Sequence, residues 1–222
     1  MISHHSKARE LFDTCAQDYD SWYLEHPLLF ESEARAADAL GLRGMVLEVG
    51  VGSGVFASRL KIGLGVDLSF NMLLLAKRRG EEEGGSVAVV VQAAANYLPF
   101  RSEVFDHVLM VSTLCFLEEP RVALKEIRSV LKTRGSVVIC DVVKDSPWGK
   151  SYVEKGREGH RFYSHAKLYT VLEMRLMLEE AGFSVTGMTG TLSFSPVEKD
   201  RLEEPSSSVE GKSFVCLRAL KS

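Results

Sequence analysis

A cluster of glycines between two acidic residues is the part of this sequence best suited to bind a small molecule. In the stretch VLEVGVGSG, Glu48 ends a short apolar run, and Gly50 and Gly52 lie in the turn that follows. Asp67 ends the next apolar run. Glycine lets a backbone approach a ligand closely, and an acid at the end of a strand can accept hydrogen bonds from a ribose diol.

Neither of two common phosphate-binding motifs fits this turn. The dinucleotide motif G-x-G-x-x-G would need glycine where the sequence has Val55, and a P-loop would need a lysine after the glycines. Val55 therefore counts against a nicotinamide oxidoreductase, which is the alternative that the fold class suggests. Glu48 would repel a pyrophosphate and favour a cationic group such as an ammonium. An ammonium, a ribose held by Asp67 and no phosphate together describe S-adenosylmethionine.

Short apolar runs that alternate with helical patterns must position this turn. The runs that predict strands are 45–50, 62–68, 86–92, 105–111 and 135–143. They are apolar on both faces, as strands between two helical layers should be. The alternation predicts an α/β fold with a doubly wound, mostly parallel sheet. Two final strands follow position 183, and the polar stretch 196–212 between them is predicted to be a mobile loop.

Helix boundaries are marked by capping residues. Helices are predicted over 53–60, over 69–79 with Ser69 as the N-cap, and over 119–132 with Pro120 in the first turn. Thr170 and Glu173 form a T-x-x-E capping box, which predicts a further helix that Gly182 ends.

The 222 residues are predicted to form a single domain. Residues 1–42 are expected to be an N-terminal helical cap, in which Pro27 opens the second helix. Residues 144–169, which mix aromatic and basic side chains, are expected to be an inserted substrate lid.

Composition narrows the classes of partner. The net charge is −3 and no basic stripe is present, so no nucleic-acid partner is expected. No apolar run approaches 18 residues, so no membrane span or membrane partner is expected. The four cysteines lack metal-ligand spacing, and Cys140, inside an apolar run, is expected to be a buried reduced thiol. The sequence thus predicts no metal site and a cytoplasmic location.

The sequence resembles the class I S-adenosylmethionine-dependent methyltransferases, in the branch of small single-domain enzymes. The stretches that carry the resemblance are VLEVGVGSG, GVDLSFNML, LPFRSEVFDHVLMVSTLCFLEEPRVALKEIRSVLKTRGSVVI and MLEEAGF. It is strong over 45–143 and looser over 163–185. The resemblance implies a Rossmann-like methyltransferase fold: a seven-stranded sheet, an antiparallel last strand near one edge, and S-adenosyl-L-methionine at the carboxyl ends of the first two strands.

The resemblance also implies roles for individual residues around the glycine turn. Glu48, Gly50 and Gly52 should line the methionine part of the cofactor. Asp67 should hold the ribose, and Leu68 should pack on the adenine.

Other expected cofactor contacts come from three separate segments. Val111 should floor the site near the sulfonium, and Tyr19 should close over the cofactor. The family often has an acid before LPF that bonds the adenine, and here Ala94 stands in its place. The adenine would then rest on backbone groups of Ala94 and Ala95, or Asn96 would reach it.

Methyl transfer from a sulfonium needs mainly alignment of the nucleophile, which can supply roughly 7–11 kcal/mol. The sequence therefore need not contain a catalytic residue, and His160, His165 and Tyr163 are the candidates, with either histidine as a base. The other interpretation is that the tyrosine packs helices onto the edge of the sheet and that the histidines face solvent.

The expected acceptor is a small molecule. A protein or RNA methyltransferase and an inactive cofactor-binding module remain alternatives, and the oligomeric state is left open.

Overall fold

A seven-stranded sheet with helices on both faces organises the protein, in a computed structural model that describes residues 6–82 and 87–222. The strands are β1 (Val46–Val49), β2 (Leu64–Asp67), β3 (Val89–Gln92), β4 (Phe105–Val111), β5 (Leu131–Val142), β6 (Phe183–Thr191) and β7 (Phe214–Lys221). Their order across the sheet is β3-β2-β1-β4-β5-β7-β6. β7 pairs antiparallel with both β5 and β6, whereas the pairs among β1 to β5 are parallel. The predicted doubly wound sheet with an antiparallel last strand is confirmed.

Eight helices are described between and before these strands in residues 6–82 and 87–222. They are α1 (Ser6–Thr14), α2 (Ala16–Glu25), α3 (Pro27–Asp38), α4 (Val55–Arg59), α5 (Phe70–Glu82), α6 (Pro120–Val130), α7 (Pro147–Arg157) and α8 (Val171–Glu180). None of them is long and apolar enough to cross a membrane, within these described ranges.

The predicted helix ends are present. Ser69 Oγ accepts the N–H of Met72 at 3.2 Å and so caps α5, and Pro120 opens α6. Thr170 and Glu173 form both bonds of the capping box, and Gly182, with φ +82°, follows the end of α8.

Several boundaries differ from the sequence prediction. The segment before β1 holds three described helices, and residues 1–5 of the predicted cap lie outside the described residues. Ser86, at the start of the predicted third strand, also lies outside them. β5 begins at Leu131, directly after α6, because the chain becomes extended there (φ −75°, ψ 137°).

Alternate residues of the central strands enter two cores, one on each face of the sheet. In β4, Val108 and Met110 belong to one cluster, whereas Leu109 and Val111 belong to the other. This is the period-two pattern of a strand buried on both faces. The double burial fixes the central strands, so the loops at their carboxyl ends have a rigid base.

The expectation of a reduced Cys140 thiol is wrong in this structure. Cys140 is joined to Cys216 by a disulfide, because the antiparallel register places these residues opposite each other on β5 and β7. The register is a tertiary property, so two cysteines 76 residues apart gave no sequence signal. The cytoplasmic location loses this support and stays a prediction.

The polar stretch 196–212 lacks regular secondary structure but is not a free loop. The Glu203 carboxylate accepts the backbone N–H of Ser193 at 2.9 Å and pairs with Lys212. His26 Nδ1 lies 2.6 Å from a carboxylate oxygen of Asp200. These contacts hold the stretch against β6 and the N-terminal helices, contrary to the predicted mobility.

Candidate active site

The glycine turn after β1 is built by left-handed backbone and by close packing. Gly50 and Gly52 have φ values of +74° and +53°, a region that favours glycine. The N–H groups of Gly50 and Val51 donate to the carbonyl of Val66, which ties the turn to β2. A Cβ on Gly50 would lie 2.3 Å from Thr113 Oγ1, whereas one on Gly52 would meet nothing within 4 Å. Gly52 therefore faces open space, as a ligand-binding turn requires.

The two acids at the ends of β1 and β2 differ in how they are satisfied. Glu48 is buried, and its Oε2 has no hydrogen-bond partner among the described residues. Asp67 accepts the N–H of Gly52 at 2.9 Å on one oxygen and the N–H of Ser69 at 2.8 Å on the other. A carboxylate offers about four acceptor positions, so at least one remains for a ligand.

Burial controls the protonation of both acids. It raises the pKa of Glu48 well above its usual value, and the nearby Asp67 carboxyl raises it further. Burial also raises the pKa of Asp67, and the backbone hydrogen bonds oppose that rise. A cation between the two carboxyls would stabilise their charged forms.

One cavity, which we call the first cavity, brings all the expected cofactor residues together. Its lining includes Tyr19, Glu48, Gly50, Gly52, Asp67, Leu68, Ala94, Ala95 and Val111. Asn96 also lines it, and its side-chain nitrogen lies 3.4 Å from Glu119. The nine expected residues come from separate strands and loops and, in the case of Tyr19, from α2, so their placement around one space is a property of the fold.

Helix α1 forms a wall of the first cavity that sequence reasoning missed. Phe12 lines the cavity and packs edge-on against Phe116, with ring centroids 4.9 Å apart. Asp13 accepts hydrogen bonds from Ser69 Oγ at 2.6 Å and from the N–H of Asn71 at 3.2 Å. These bonds join α1 to the start of α5. A lone phenylalanine and aspartate in a short polar helix give no local signal of this role.

Ser112, directly after β4, lies between the first cavity and a second one. Its φ of +47° is in the left-handed region, which non-glycine residues adopt at a cost of about 1–3 kcal/mol. Its N–H donates to the carbonyl of Cys140 at 2.8 Å, which holds this conformation.

The second cavity has a volume of about 380 Å³ and adjoins the first. Tyr19, Tyr23, Ser112 and Phe116 line both cavities. The two spaces thus meet at one wall beside the end of β4. Cavities of roughly 300–1,000 Å³ are typical of small-molecule sites.

Aromatic side chains enclose the second cavity. Tyr163 is stacked between Tyr152 and His160, at centroid distances of 4.0 Å and 4.4 Å. The hydroxyls of Tyr19 and Tyr23 lie 3.2 Å apart across the shared wall. Segment 144–169 and α2 therefore supply the walls of this cavity together.

Two buried acids line the second cavity, and neither was a sequence candidate. Asp141 accepts the N–H of Val142 at 2.9 Å and that of Cys115 at 3.2 Å. Burial raises its pKa to about 6. Burial and the nearby Asp141 raise the pKa of Glu33 to about 8. Glu33 lies in a helix rich in charged residues, which conceals it, whereas Asp141 interrupts an apolar run and could have been noticed.

The structure separates the three catalytic candidates. His160 and Tyr163 line the second cavity. His160 is exposed, its Nδ1 accepts the N–H of Phe162 at 3.3 Å, and burial and nearby Lys155 lower its pKa. His165 is exposed and lines neither cavity.

The sheet order, the glycine turn after β1 and the acids ending β1 and β2 define a Rossmann-like methyltransferase fold. Residues 47–139 match the family model of the methyltransferase domain. The chain is 35% identical to an uncharacterized protein of Methanocaldococcus jannaschii, over 95% of this chain and 98% of that one. It is 31% identical to the demethylmenaquinone methyltransferase of Lactococcus lactis, over 61% of this chain and 58% of that one.

A crystal structure from Thermotoga maritima is similar over the whole length. It is described as that of a SAM-dependent methyltransferase, "possible histamine N-methyltransferase". Its TM-score is 0.89 at 32% identity, and the match covers 96% of this chain and 99% of that one.

The chain belongs to the class I S-adenosylmethionine-dependent methyltransferases, and its cofactor is S-adenosylmethionine. The first cavity fits this cofactor. The unpartnered Oε2 of Glu48 can accept a hydrogen bond from an ammonium, Asp67 has acceptor capacity left for a ribose, and Gly52 leaves open space beside both.

Proposed function

We propose that this methyltransferase acts on a small organic molecule bound in the second cavity. The observation that carries the proposal is the wall that the two cavities share, formed by Tyr19, Tyr23, Ser112 and Phe116. A cofactor in the first cavity and an acceptor in the second would meet there.

The proposed roles in cofactor binding follow the geometry of the first cavity. Glu48 and the turn at Gly50 and Gly52 hold the methionine part, Asp67 holds the ribose, and Leu68 packs on the adenine. The backbone at Ala94 and Ala95, together with Val111 and Tyr19, closes the remaining walls. The cofactor supplies an activated methyl group on a positively charged sulfur.

Two features support a small acceptor over a macromolecule. The second cavity is walled by α2 and by residues of segment 144–169, and its volume suits a small molecule. The acceptors in the names of two relatives, demethylmenaquinone in one and, as a possible acceptor, histamine in the other, are also small organic molecules.

Direct alignment is the proposed source of rate enhancement. Ser112 holds the backbone of the shared wall in a fixed left-handed conformation, and the aromatic rings limit the orientations open to an acceptor. Orienting two reactants can supply roughly 7–11 kcal/mol.

The test is a methyl-transfer assay with radiolabelled S-adenosylmethionine and separate panels of amines, phenols, thiols and carboxylic acids, with tRNA and denatured protein as further acceptors. Labelling of one small-molecule panel, and its loss in Ser112→Trp, is expected because a large side chain at the shared wall blocks the approach. Labelling of only tRNA or protein would overturn the small-molecule acceptor. Binding of S-adenosylhomocysteine without transfer to any panel would favour an inactive binding module.

A further inference from the structure

Glu33 is a buried carboxyl that faces the second cavity without a partner. It is 5% exposed and lines the cavity. Burial and the Asp141 carboxyl are the influences on its pKa, and no hydrogen bond or ion pair to its side chain is present in residues 6–82 and 87–222. A carboxyl in this position loses much of its solvation on folding, so its retention in the wall of a cavity points to a ligand.

Among the described residues that line the second cavity, the buried charged side chains are all acidic. Glu33 and Asp141 are the buried charged residues of the lining. The basic side chains Lys155 and Arg161 are exposed at the rim, and Arg161 is paired with Asp18. A cation that enters the interior therefore meets carboxyl groups alone, and it favours their charged forms.

Four tyrosines line the same cavity as this carboxyl. Glu33 raises the pKa of the phenols of Tyr19, Tyr23, Tyr152 and Tyr163, after the larger effect of burial. All four rings are therefore within electrostatic reach of this one carboxyl. Aromatic faces together with a carboxylate form a recognised type of binding site for ammonium groups.

We propose that the acceptor is an amine that binds as its ammonium between Glu33, Asp141 and these four tyrosines, and that Glu33 takes the proton that the nitrogen must lose. The inference rests on the proposed function. It names the acceptor class and assigns Glu33 as the group that contacts the reacting nitrogen.

The proton balance can be stated step by step. At pH 7 the free Glu33 carboxyl is protonated, and it releases this proton to solvent when the ammonium binds. The ammonium then passes a proton to the Glu33 carboxylate, and the freed nitrogen lone pair forms the new N–C bond. The electron pair of the broken S–C bond stays on sulfur. The methylated ammonium leaves and Glu33 is protonated again, so one proton is released per turnover.

Other groups around the cavity could contribute to a measured proton release, so the test needs a variant of Glu33 itself. The other titratable and charged side chains lining the cavity are Asp18, Tyr19, Tyr23 and Glu25 from α2, Cys115 from the turn after β4, Asp141 from β5, Tyr152 and Lys155 from α7, and His160, Arg161 and Tyr163 beyond α7.

The experiment is a calorimetric titration at pH 7 of the full chain saturated with S-adenosylhomocysteine. The probes are 2-phenylethylamine, histamine and 1,4-diaminobutane, each compared with the alcohol that replaces its amine by hydroxyl. Titrations in buffers of different ionisation enthalpy give the protons released. At least one amine is expected to bind tenfold or more tighter than its alcohol and to release about one proton.

In Glu33→Gln, the preferred amine is expected to bind at least tenfold more weakly without proton release, while its alcohol binds as before. Unchanged binding of S-adenosylhomocysteine shows that the variant is folded. The matched control is Asp38→Asn, which removes one charge from the end of the same helix, at an exposed position.

Two results would overturn the inference. One is that no amine exceeds its alcohol, and the other is that Glu33→Gln keeps both the amine preference and the proton release. Methylation of phenols or acids instead of amines would reject the amine while leaving the small-molecule function intact. Failure of the wild-type chain to methylate any small molecule would reject the proposed function itself.

Discussion

The two cavities are built in opposite ways. The first rests on the ends of neighbouring parallel strands, and its acids Glu48 and Asp67 each follow an apolar run in the sequence. The second is assembled from α2 and α3 and, far along the chain from them, from the end of β5 and segment 144–169. The first is therefore centred on a local motif, although α1 and α2 also wall it, whereas the second has no such motif and is a property of tertiary packing alone. Substitutions in the two cavities and in the contact between them should therefore differ in their effects.

Asp67→Ala should show the difference between the two cavities most clearly, because Asp67 lines only the first. Loss of the ribose acceptor should weaken S-adenosylhomocysteine binding at least 100-fold, since hydrogen bonds to charged groups contribute about 1.5–3 kcal/mol each. Isothermal titration measures this, with the exposed Asp145→Ala as the control. Equal affinities of the two variants would show that Asp67 does not hold the cofactor.

Gly50→Ala should destabilise the fold at the motif itself. The added Cβ would lie 2.3 Å from Thr113 Oγ1, at a φ of +74°. We expect a loss of about 2–5 kcal/mol in the free energy of unfolding, measured by chemical denaturation. Gly63→Ala is the control, because a Cβ there meets nothing within 4 Å and its φ is not in the left-handed region. Similar losses in both variants would contradict the steric argument.

Glu33→Gln should stabilise the ligand-free protein at high pH. The folded pKa of about 8 exceeds the ordinary value of 4.5, so the stability that this carboxyl allows is complete below pH 4.5 and is lost as pH rises through 8. At pH 9 the variant should gain about 2–4 kcal/mol, or about 5–15 °C in Tm. At pH 5 the two proteins should melt together.

The control for that gain is Asp38→Asn, which should show no such dependence on pH. A Tm difference between wild type and Glu33→Gln that stays constant from pH 5 to 9 would mean that Glu33 is not held protonated by burial.

Arg161→Ala should have the smallest effect. The Arg161–Asp18 pair joins segment 144–169 to α2, but both side chains are more than half exposed. Pairs of this kind contribute about 0–1 kcal/mol. We expect at most a fewfold rise in the KM of the acceptor and no change in cofactor affinity. A large loss of cofactor binding would mean that the two cavities are mechanically linked.

The features of the first cavity that come from local motifs could be predicted from the sequence, whereas those of the second could not. The glycine turn, the strand-terminal acids and the capping box at Thr170 are short patterns with direct physical meanings, so their positions could be predicted. Eight of the nine expected cofactor residues line one cavity because parallel strands end at one edge, and the ninth, Tyr19, reaches it from α2. Their contacts with the cofactor stay a prediction.

Residues whose roles arise from contacts between distant parts of the chain could not be identified from short sequence patterns. Glu33 lies on a helix whose burial depends on what covers it, and the Cys140–Cys216 bond depends on strand register. His165 shares the aromatic and basic surroundings of His160 in the sequence, yet it lines neither cavity. The path of the backbone between the two histidines decides which one lines the cavity, and composition does not record it.

The Cys140–Cys216 disulfide encloses, in a covalent loop, the segment that supplies much of the second cavity's wall. The chain between these residues is a closed ring, and it contains all of segment 144–169 as well as α8 and β6. The glycine turn and α3 lie outside this ring. A single proteolytic cut within 196–212 would therefore open the ring without releasing a fragment, and β7 would leave the protein only after reduction as well.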